Sequence, residues 1–193
     1  MNIDSRRKIK EMIVCQRTVS IWLTGLSGSG KSTLAYELDT ALAAQGYLTV
    51  ILDGDDIRQG LNKNLSFSET DRMENIRRIA EVSKLFVNNG VITINAFICP
   101  SEKMRALAKE IIGADDFLLI YLNAPLEVCE KRDTKGNYKK ARKGEIKEFT
   151  GVTAVYEEPK TPNLVLDTAH KDIDECIVEL VEFIVPRITG KIQ

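Results

Sequence analysis

The chain has 193 residues, 44% of them hydrophobic and 28% charged. That is the balance of one ordinary folded domain, and it excludes wholesale disorder. Twenty-seven basic residues against 28 acidic ones leave a net charge of -1, which excludes a nucleic-acid binder working through bulk positive charge.

The chain is expected to form a single domain over residues 1–193, with 1–17 as an N-terminal arm. Apolar runs such as Val91-Ile92-Thr93-Ile94 are far shorter than the roughly 20 residues of a membrane span. No apolar stretch follows the first residues, so they do not read as a secretory signal, and a cytoplasmic protein is expected. Cys15, Cys99, Cys129 and Cys176 lie far apart without a CxxC pair. They read as buried reduced thiols, not as a disulfide framework or zinc site. The single histidine, His170, excludes a two-histidine metal site and reads as a residue of a surface turn.

In chain order, the basic stretch Arg6-Arg7-Lys8-Ile9-Lys10 reads as a frayed, solvated helix, with an arm across a second subunit as the alternative. Strands are predicted over 18–24, 48–52, 91–97, 117–122 and 164–166. Helices are predicted over 31–45, 68–89, 101–112, 125–132 and 172–185, with Ser68 as a cap and Pro125 as a helix start. This alternation is the βαβ signature of an α/β protein: a five-stranded parallel sheet flanked by helices in three layers. Between Asp133 and Pro162 the hydrophobic period fails. Some thirty residues of this kind inside a compact domain point to a functional lid.

Gly25-Leu26-Ser27-Gly28-Ser29-Gly30-Lys31-Ser32 fits G-x-x-x-x-G-K-[ST] in full and follows a buried strand into a helix. Its glycines let backbone N–H groups curl around phosphate oxygens, and the helix N-terminus adds positive charge. Lys31 can reach the β- and γ-phosphates, and Ser32 can ligate Mg²⁺. The pattern implies a P-loop fold that binds ATP.

The acidic partner is sought at the end of the second strand, in Asp53-Gly54-Asp55-Asp56. In extended chain Asp53 and Asp55 point to one side. One can hold a Mg²⁺ water while the other takes a proton from an acceptor hydroxyl. A regulatory GTPase would need Asn-Lys-x-Asp. The nearest match, Asn62-Lys63-Asn64-Leu65, lacks the acid and falls too early. A small-molecule kinase needs a cationic lid that excludes water. Lys131, Arg132, Lys135, Lys139, Lys140, Arg142, Lys143 and Lys147 provide the charge. Arg58, Arg72, Arg77 and Arg78 lie where an acceptor with phosphate or sulfate oxygens would be held. Phe67 and Phe149 stand isolated in polar loops, as core anchors or as base-stacking residues.

Several segments together resemble adenylyl-sulfate kinase. They are the phosphate loop through Ala35, Leu52 to Asn62, Phe67 to Arg78, Ala124 to Arg132 and, most specifically, Lys140 to Gly151. The resemblance runs from about residue 18 to 185. It implies phosphorylation of the ribose 3′-hydroxyl of adenosine 5′-phosphosulfate by MgATP. It implies that Gly28 to Thr33 hold the ATP phosphates, with Arg132 against the ATP base and Thr168 to Lys171 on its far side. Asp55 sits at the acceptor hydroxyl and metal, with Asp53 behind it. Arg58, Arg72 and Asn75 hold the acceptor's phosphosulfate and ribose, Phe67 and Phe149 sandwich its adenine, and Lys135 reaches it from the lid. Family members are often dimers. A fused sulfurylase domain is not expected, so a separate ATP sulfurylase is expected to supply the acceptor.

Two departures stand out. The family's third-strand end commonly reads Ile-Ser-Pro and then an aromatic residue, where this chain has Ile98-Cys99-Pro100-Ser101. That serine has been proposed as a phosphoenzyme site in some members. Cys99 is a poor substitute, so direct in-line transfer is expected, and Ser101 is expected to alter the acceptor wall. Asp56 stands where Asn is usual, and its charge is expected to weaken acceptor binding unless a cation such as Arg58 offsets it. A kinase of the same fold acting on another nucleotide-linked oxyanion is the alternative.

Overall fold

The computed structural model describes residues 3–189. Residues 1–2 and 190–193 of the expected domain lie outside the described residues. Five strands, β1 (Ser20–Thr24), β2 (Thr49–Asp53), β3 (Ile92–Ala96), β4 (Phe117–Asn123) and β5 (Leu164–Asp167), form one sheet in the order β2-β3-β1-β4-β5. Every pairing is parallel. The helices are α1 (Ile3–Val14), α2 (Lys31–Ala43), α3 (Gly54–Gln59), α4 (Glu69–Val87), α5 (Glu102–Ile112), α6 (Leu126–Arg132), α7 (Asn137–Arg142) and α8 (Ile173–Ile188).

The strands read as near-continuous apolar runs because both faces of the sheet are covered. Alternation along each strand feeds two cores. Ile21, Leu23, Ile92, Ile94 and Ile120 pack under α2 and α8, against Leu38, Leu42, Leu180 and Ile184. Trp22, Phe117 and Leu119 point the other way, onto Ile76 and Ile79 of α4 and Met104 and Ala108 of α5. The two polar residues of β3 do not interrupt this core. Asn95 donates to Ser20 Oγ (2.9 Å) and Thr93 Oγ1 (3.0 Å) and accepts from Ser83 Oγ of α4 (2.7 Å). A closed set of buried partners avoids the ~1–3 kcal/mol cost of an orphaned polar group.

The predicted Ser68 cap is present, its hydroxyl accepting from the Asp71 amide. Ser101 likewise accepts from the Met104 amide, and Asp172 forms a capping box with Glu175. The basic N-terminal stretch differs from the expected frayed helix. Arg7 is seated on the body of the domain, paired with Asp116 and donating to Thr18 O (2.7 Å). Glu11 of the same helix accepts from the Thr18 amide (2.8 Å). The stretch expected to lack structure contains α7, whose Tyr138 and Ala141 are buried. Cys99, Cys129 and Cys176 are buried and Cys15 is exposed, against expectation for Cys15 alone, and all four thiols are free. No helix among the described residues is long and apolar enough to cross a membrane.

Candidate active site

Because every strand is parallel, the carboxyl ends of β1, β2, β3 and β5 open on the same side, and the crossovers reverse direction at β1. That is where an α/β sheet forms its crevice. A cavity of about 1360 Å³ lies there, lined from Ser27–Thr33 across Asp53 and Asp55 to Phe67, Arg72 and Phe149.

The phosphate loop enters from β1. A Cβ on Gly25 would stand 2.6 Å from Ser29 Oγ and 2.7 Å from Leu122 O, and one on Gly28 would stand 2.8 Å from Cys129 O. Both positions therefore need glycine. The Ser29 hydroxyl is buried without a protein partner, an orphan donor of the kind a bound oxyanion satisfies. Lys31 Nζ donates to the carbonyls of Gly25 (3.0 Å) and Leu26 (2.7 Å). Burial pushes its ammonium down to about 8, because the charged form is poorly solvated there. Gly25 and Leu26 contribute those carbonyls from beneath the loop and do not line the cavity, whereas Ser27 to Thr33 do.

Asp53 ends β2 and caps α3. Its Oδ1 accepts from the Asp55 amide (2.8 Å) and its Oδ2 from Ser32 Oγ (2.6 Å). The expected extended arrangement of Asp53 and Asp55 is not what forms. The chain turns into α3 at Gly54, so Asp53 is buried against Ser32 while Asp55 stands exposed and paired with Lys135 of the lid. Asp56 does not line the cavity. It is solvent-exposed and accepts from Tyr36 OH (3.4 Å), while its charge still acts on Lys135 of the lid.

On the far side, Arg58 and Arg72 flank the exposed Phe67 ring, with guanidinium carbons 4.3 and 5.6 Å from its centroid. Arg72 also donates to Glu148 O (2.6 Å) and Thr150 Oγ1 (3.0 Å), fastening the lid. Asn75 lines the cavity and accepts from Asn62 Nδ2 (2.8 Å). Phe149 lines it too, held edge-on to Tyr138 at 5.0 Å. Arg77 and Arg78 pair with Glu74 and do not line the cavity. They stand one side of α4 away from Arg72, so the sequence neighbourhood overstated the cluster.

Of the eight basic lid residues, Arg132, Lys135 and Lys147 line the cavity. Arg142 pairs with Glu130, and the others do not line the cavity. Arg132 donates to Thr168 O (2.5 Å) and to Gly28 O (3.4 Å), joining the phosphate loop to the end of β5. Thr168 and Lys171 line that end of the cavity. His170 is an exposed turn residue with Nδ1 2.9 Å from Asp167 Oδ2, as its isolation suggested. Sequence reasoning missed Tyr138, which is fully buried, donates to Ser27 O (2.9 Å) and supports Phe149. Its one signal was a lone aromatic within a basic run.

Ile98 and Cys99 form a wall of the cavity. Cys99 is buried, with a left-handed backbone at φ 43°, and burial pushes its thiol up to about 12. A thiol so held is not ionised at neutral pH and is a poor nucleophile. Ser101 does not line the cavity; it caps α5.

The family model for adenylylsulphate kinase matches residues 17–167. The chain is 56% identical over 185 residues to an adenylyl-sulfate kinase of Bacteroides thetaiotaomicron, covering 96% of this chain and 92% of that one. It is 51% identical over 178 residues to one from Clostridium kluyveri, covering 92% and 89%. Among solved structures, the Mycobacterium tuberculosis APS kinase CysC in complex with AMPPNP and APS superposes with a TM-score of 0.84 at 42% identity, covering 88% of this chain and 98% of that one. A Sinorhizobium meliloti gluconokinase, 16% identical at a TM-score of 0.60, shares the fold. With the family model spanning the phosphate loop, the β2 acids and the lid, and with relatives above half identity across nearly the whole length, the chain belongs to the adenylyl-sulfate kinase family.

Proposed function

We propose that the protein transfers the γ-phosphoryl group of MgATP to the ribose 3′-hydroxyl of adenosine 5′-phosphosulfate, giving 3′-phosphoadenosine 5′-phosphosulfate. The observation that carries this reading is the single cavity running from the phosphate loop, past Asp55, to Phe67 and Phe149. Donor and acceptor can thus meet without leaving the protein. Lys31 and the loop amides would hold the β- and γ-phosphates, and the free Ser29 hydroxyl supports an oxyanion there. Arg132, Thr168 and Lys171 would hold the nucleoside of ATP.

Among the described residues no three His, Cys, Asp or Glu side chains gather into a metal cage. The donors Ser32 and Asp53 suit Mg²⁺, which keeps waters and takes its other ligands from phosphate. Bound there, Mg²⁺ would supply neutralising charge on the phosphates. Asp55 would accept the 3′-hydroxyl proton, with Lys135 beside it lending positive charge to the transferring group. Arg58, Arg72 and Asn75 would hold the acceptor's anionic and ribose groups. Phe67 and Phe149 would stack on its adenine. Transfer would be direct, because the Cys99 thiol is protonated and buried.

The deciding measurement is ADP release from MgATP with adenosine 5′-phosphosulfate beside a panel of other nucleotide acceptors. Turnover with the phosphosulfate alone is expected; turnover only with another acceptor would overturn the substrate assignment.

Two substitutions test the acceptor side. Phe67→Ala should raise the acceptor KM by the worth of one base-stacking contact, about 1–3 kcal/mol. The ATP KM should stay put, and an unmoved acceptor KM would return Phe67 to a packing role. Cys99→Ala should keep turnover within a few-fold, because the thiol takes no part in transfer. Complete loss in a folded Cys99→Ala protein would revive a covalent route.

A further inference from the structure

The wall formed by Ile98, Cys99 and Pro100 offers three successive backbone carbonyls, and a different element grips each one. Thr24 Oγ1, at the end of β1, donates to Ile98 O (2.6 Å). Arg105, a fully buried guanidinium on α5, donates to Cys99 O (3.0 Å). The Glu157 amide, in the arm that leads out of the lid, donates to Pro100 O (2.8 Å). The Glu157 carboxylate then accepts from the Glu102 amide at the start of α5 (2.8 Å).

Tyr156 completes the set. Its hydroxyl lies 3.1 Å from Thr24 Oγ1. A hydroxyl has one proton to donate, and Thr24 gives its own to Ile98 O. The hydrogen bond between them must therefore be donated by Tyr156. Burial holds the Tyr156 phenol in its protonated form, so that donor is present at any working pH. The ring is fixed by stacking on Tyr121 at 6.2 Å.

We infer that Tyr156 is a positioning residue for the acceptor: through Thr24 and Ile98 it locks the acceptor-side wall of the cavity to the exit arm of the lid. The inference rests on the proposed function: Ile98, Cys99 and Pro100 line the same cavity as Phe67, Arg72 and Asn75, which would hold the acceptor. The wall stands at the end of β3, three strand spacings from the β5 end of the cavity. That is about 14 Å in the sheet, so loosening the wall should leave the Arg132–Thr168 end untouched. An acceptor that draws the lid inward would tighten the wall against itself through the same bonds, and a slack wall would show as weaker acceptor binding.

The test is steady-state kinetics of the full chain with adenosine 5′-phosphosulfate and MgATP varied in turn. Tyr156→Phe, which keeps the ring and its stacking, should raise the acceptor KM about three- to tenfold, the worth of one neutral hydrogen bond. Its kcat and ATP KM should stay close to the parent values. Thr24→Val should do the same or more, while Thr24→Ser, which keeps the hydroxyl, should restore the parent acceptor KM. An unchanged acceptor KM in folded Tyr156→Phe would overturn the inference. So would an equal rise in both KM values, which marks a merely structural role. A parent chain inert toward the phosphosulfate would overturn the proposed function and this inference with it. An active parent with an indifferent Tyr156→Phe would overturn this inference alone.

Discussion

Lys31→Ala should leave no measurable turnover, a loss on the order of 10³-fold or more, the scale on which removing one preorganised charge contact from a transferring group is felt. The reason lies in how little else can do its work. The glycines of the loop offer amides, Arg132 reaches the loop only at Gly28 O, and Lys31 is the cation that curls over the loop itself, held on the Gly25 and Leu26 carbonyls. ATP would take over that ammonium from the two carbonyls. Because burial lowers Lys31 to about 8, its charge in the free protein is full below pH 8 and fades as pH rises through that value. Phosphate oxygens favour the charged form, so ATP binding above pH 8 should take up a proton and weaken by up to about tenfold per pH unit. Titrating ATP at several pH values checks both statements. The Ala variant should bind weakly without this slope. Near-normal turnover of Lys31→Ala would sink the phosphate-transfer reading.

Asp55→Asn should lower kcat by about 10²–10⁴-fold, the usual worth of a positioned proton acceptor. The amide is nearly the size of the carboxylate and can still meet Lys135, so the change removes proton-accepting ability with little disturbance of shape. The backbone bond from residue 55 to Asp53 is untouched, so the ATP KM should move little. The Lys135–Asp55 ion pair is more than half exposed on both sides and contributes little to stability. Unfolding of the variant is therefore not the expected cause of its loss. A variant that keeps its rate would mean that Asp55 only tethers Lys135.

The long elements were legible because each carries its signal locally. β1, β3 and β4 are buried on both faces, all five strands read as short apolar runs, and α4 has a capping serine at one end and Gly90 after the other. Two short helices, α3 and α7, were not legible. Six residues of α3 or α7 are less than two turns, too few to show a period. Missing α3 led directly to the wrong geometry for Asp53 and Asp55, although an Asp followed by a helical turn is a cap signal. α1 shows a helical composition, but what seats it is Arg7 on Asp116, a partner no local pattern reveals. In the site, the phosphate loop follows from the residues alone. Phe67 and Phe149 did not: an aromatic in a polar loop is ambiguous until its surroundings are known, and only the resemblance favoured stacking. Ser101 and Asp56 differ from the family pattern next to functional residues, and their local partners, a helix end for one and Tyr36 for the other, carry no signal in the sequence.

The central place of β1 has a consequence for how the chain is made. β1 is the first strand to be synthesised, and its neighbours are β3 and β4, not β2. Its register partners begin at Thr93 and Phe117. At about 5–20 residues per second of synthesis, β1 waits for several seconds with both edges unpaired and Trp22 without its core. The α1 anchor waits as long, since Asp116 lies 109 residues beyond Arg7. The nascent chain therefore carries an open apolar strand through a long middle part of its synthesis, a hazard for edge-to-edge association. Synonymous rare codons that slow translation between β1 and β4 should lower the yield of folded protein more than the same codons placed after β4.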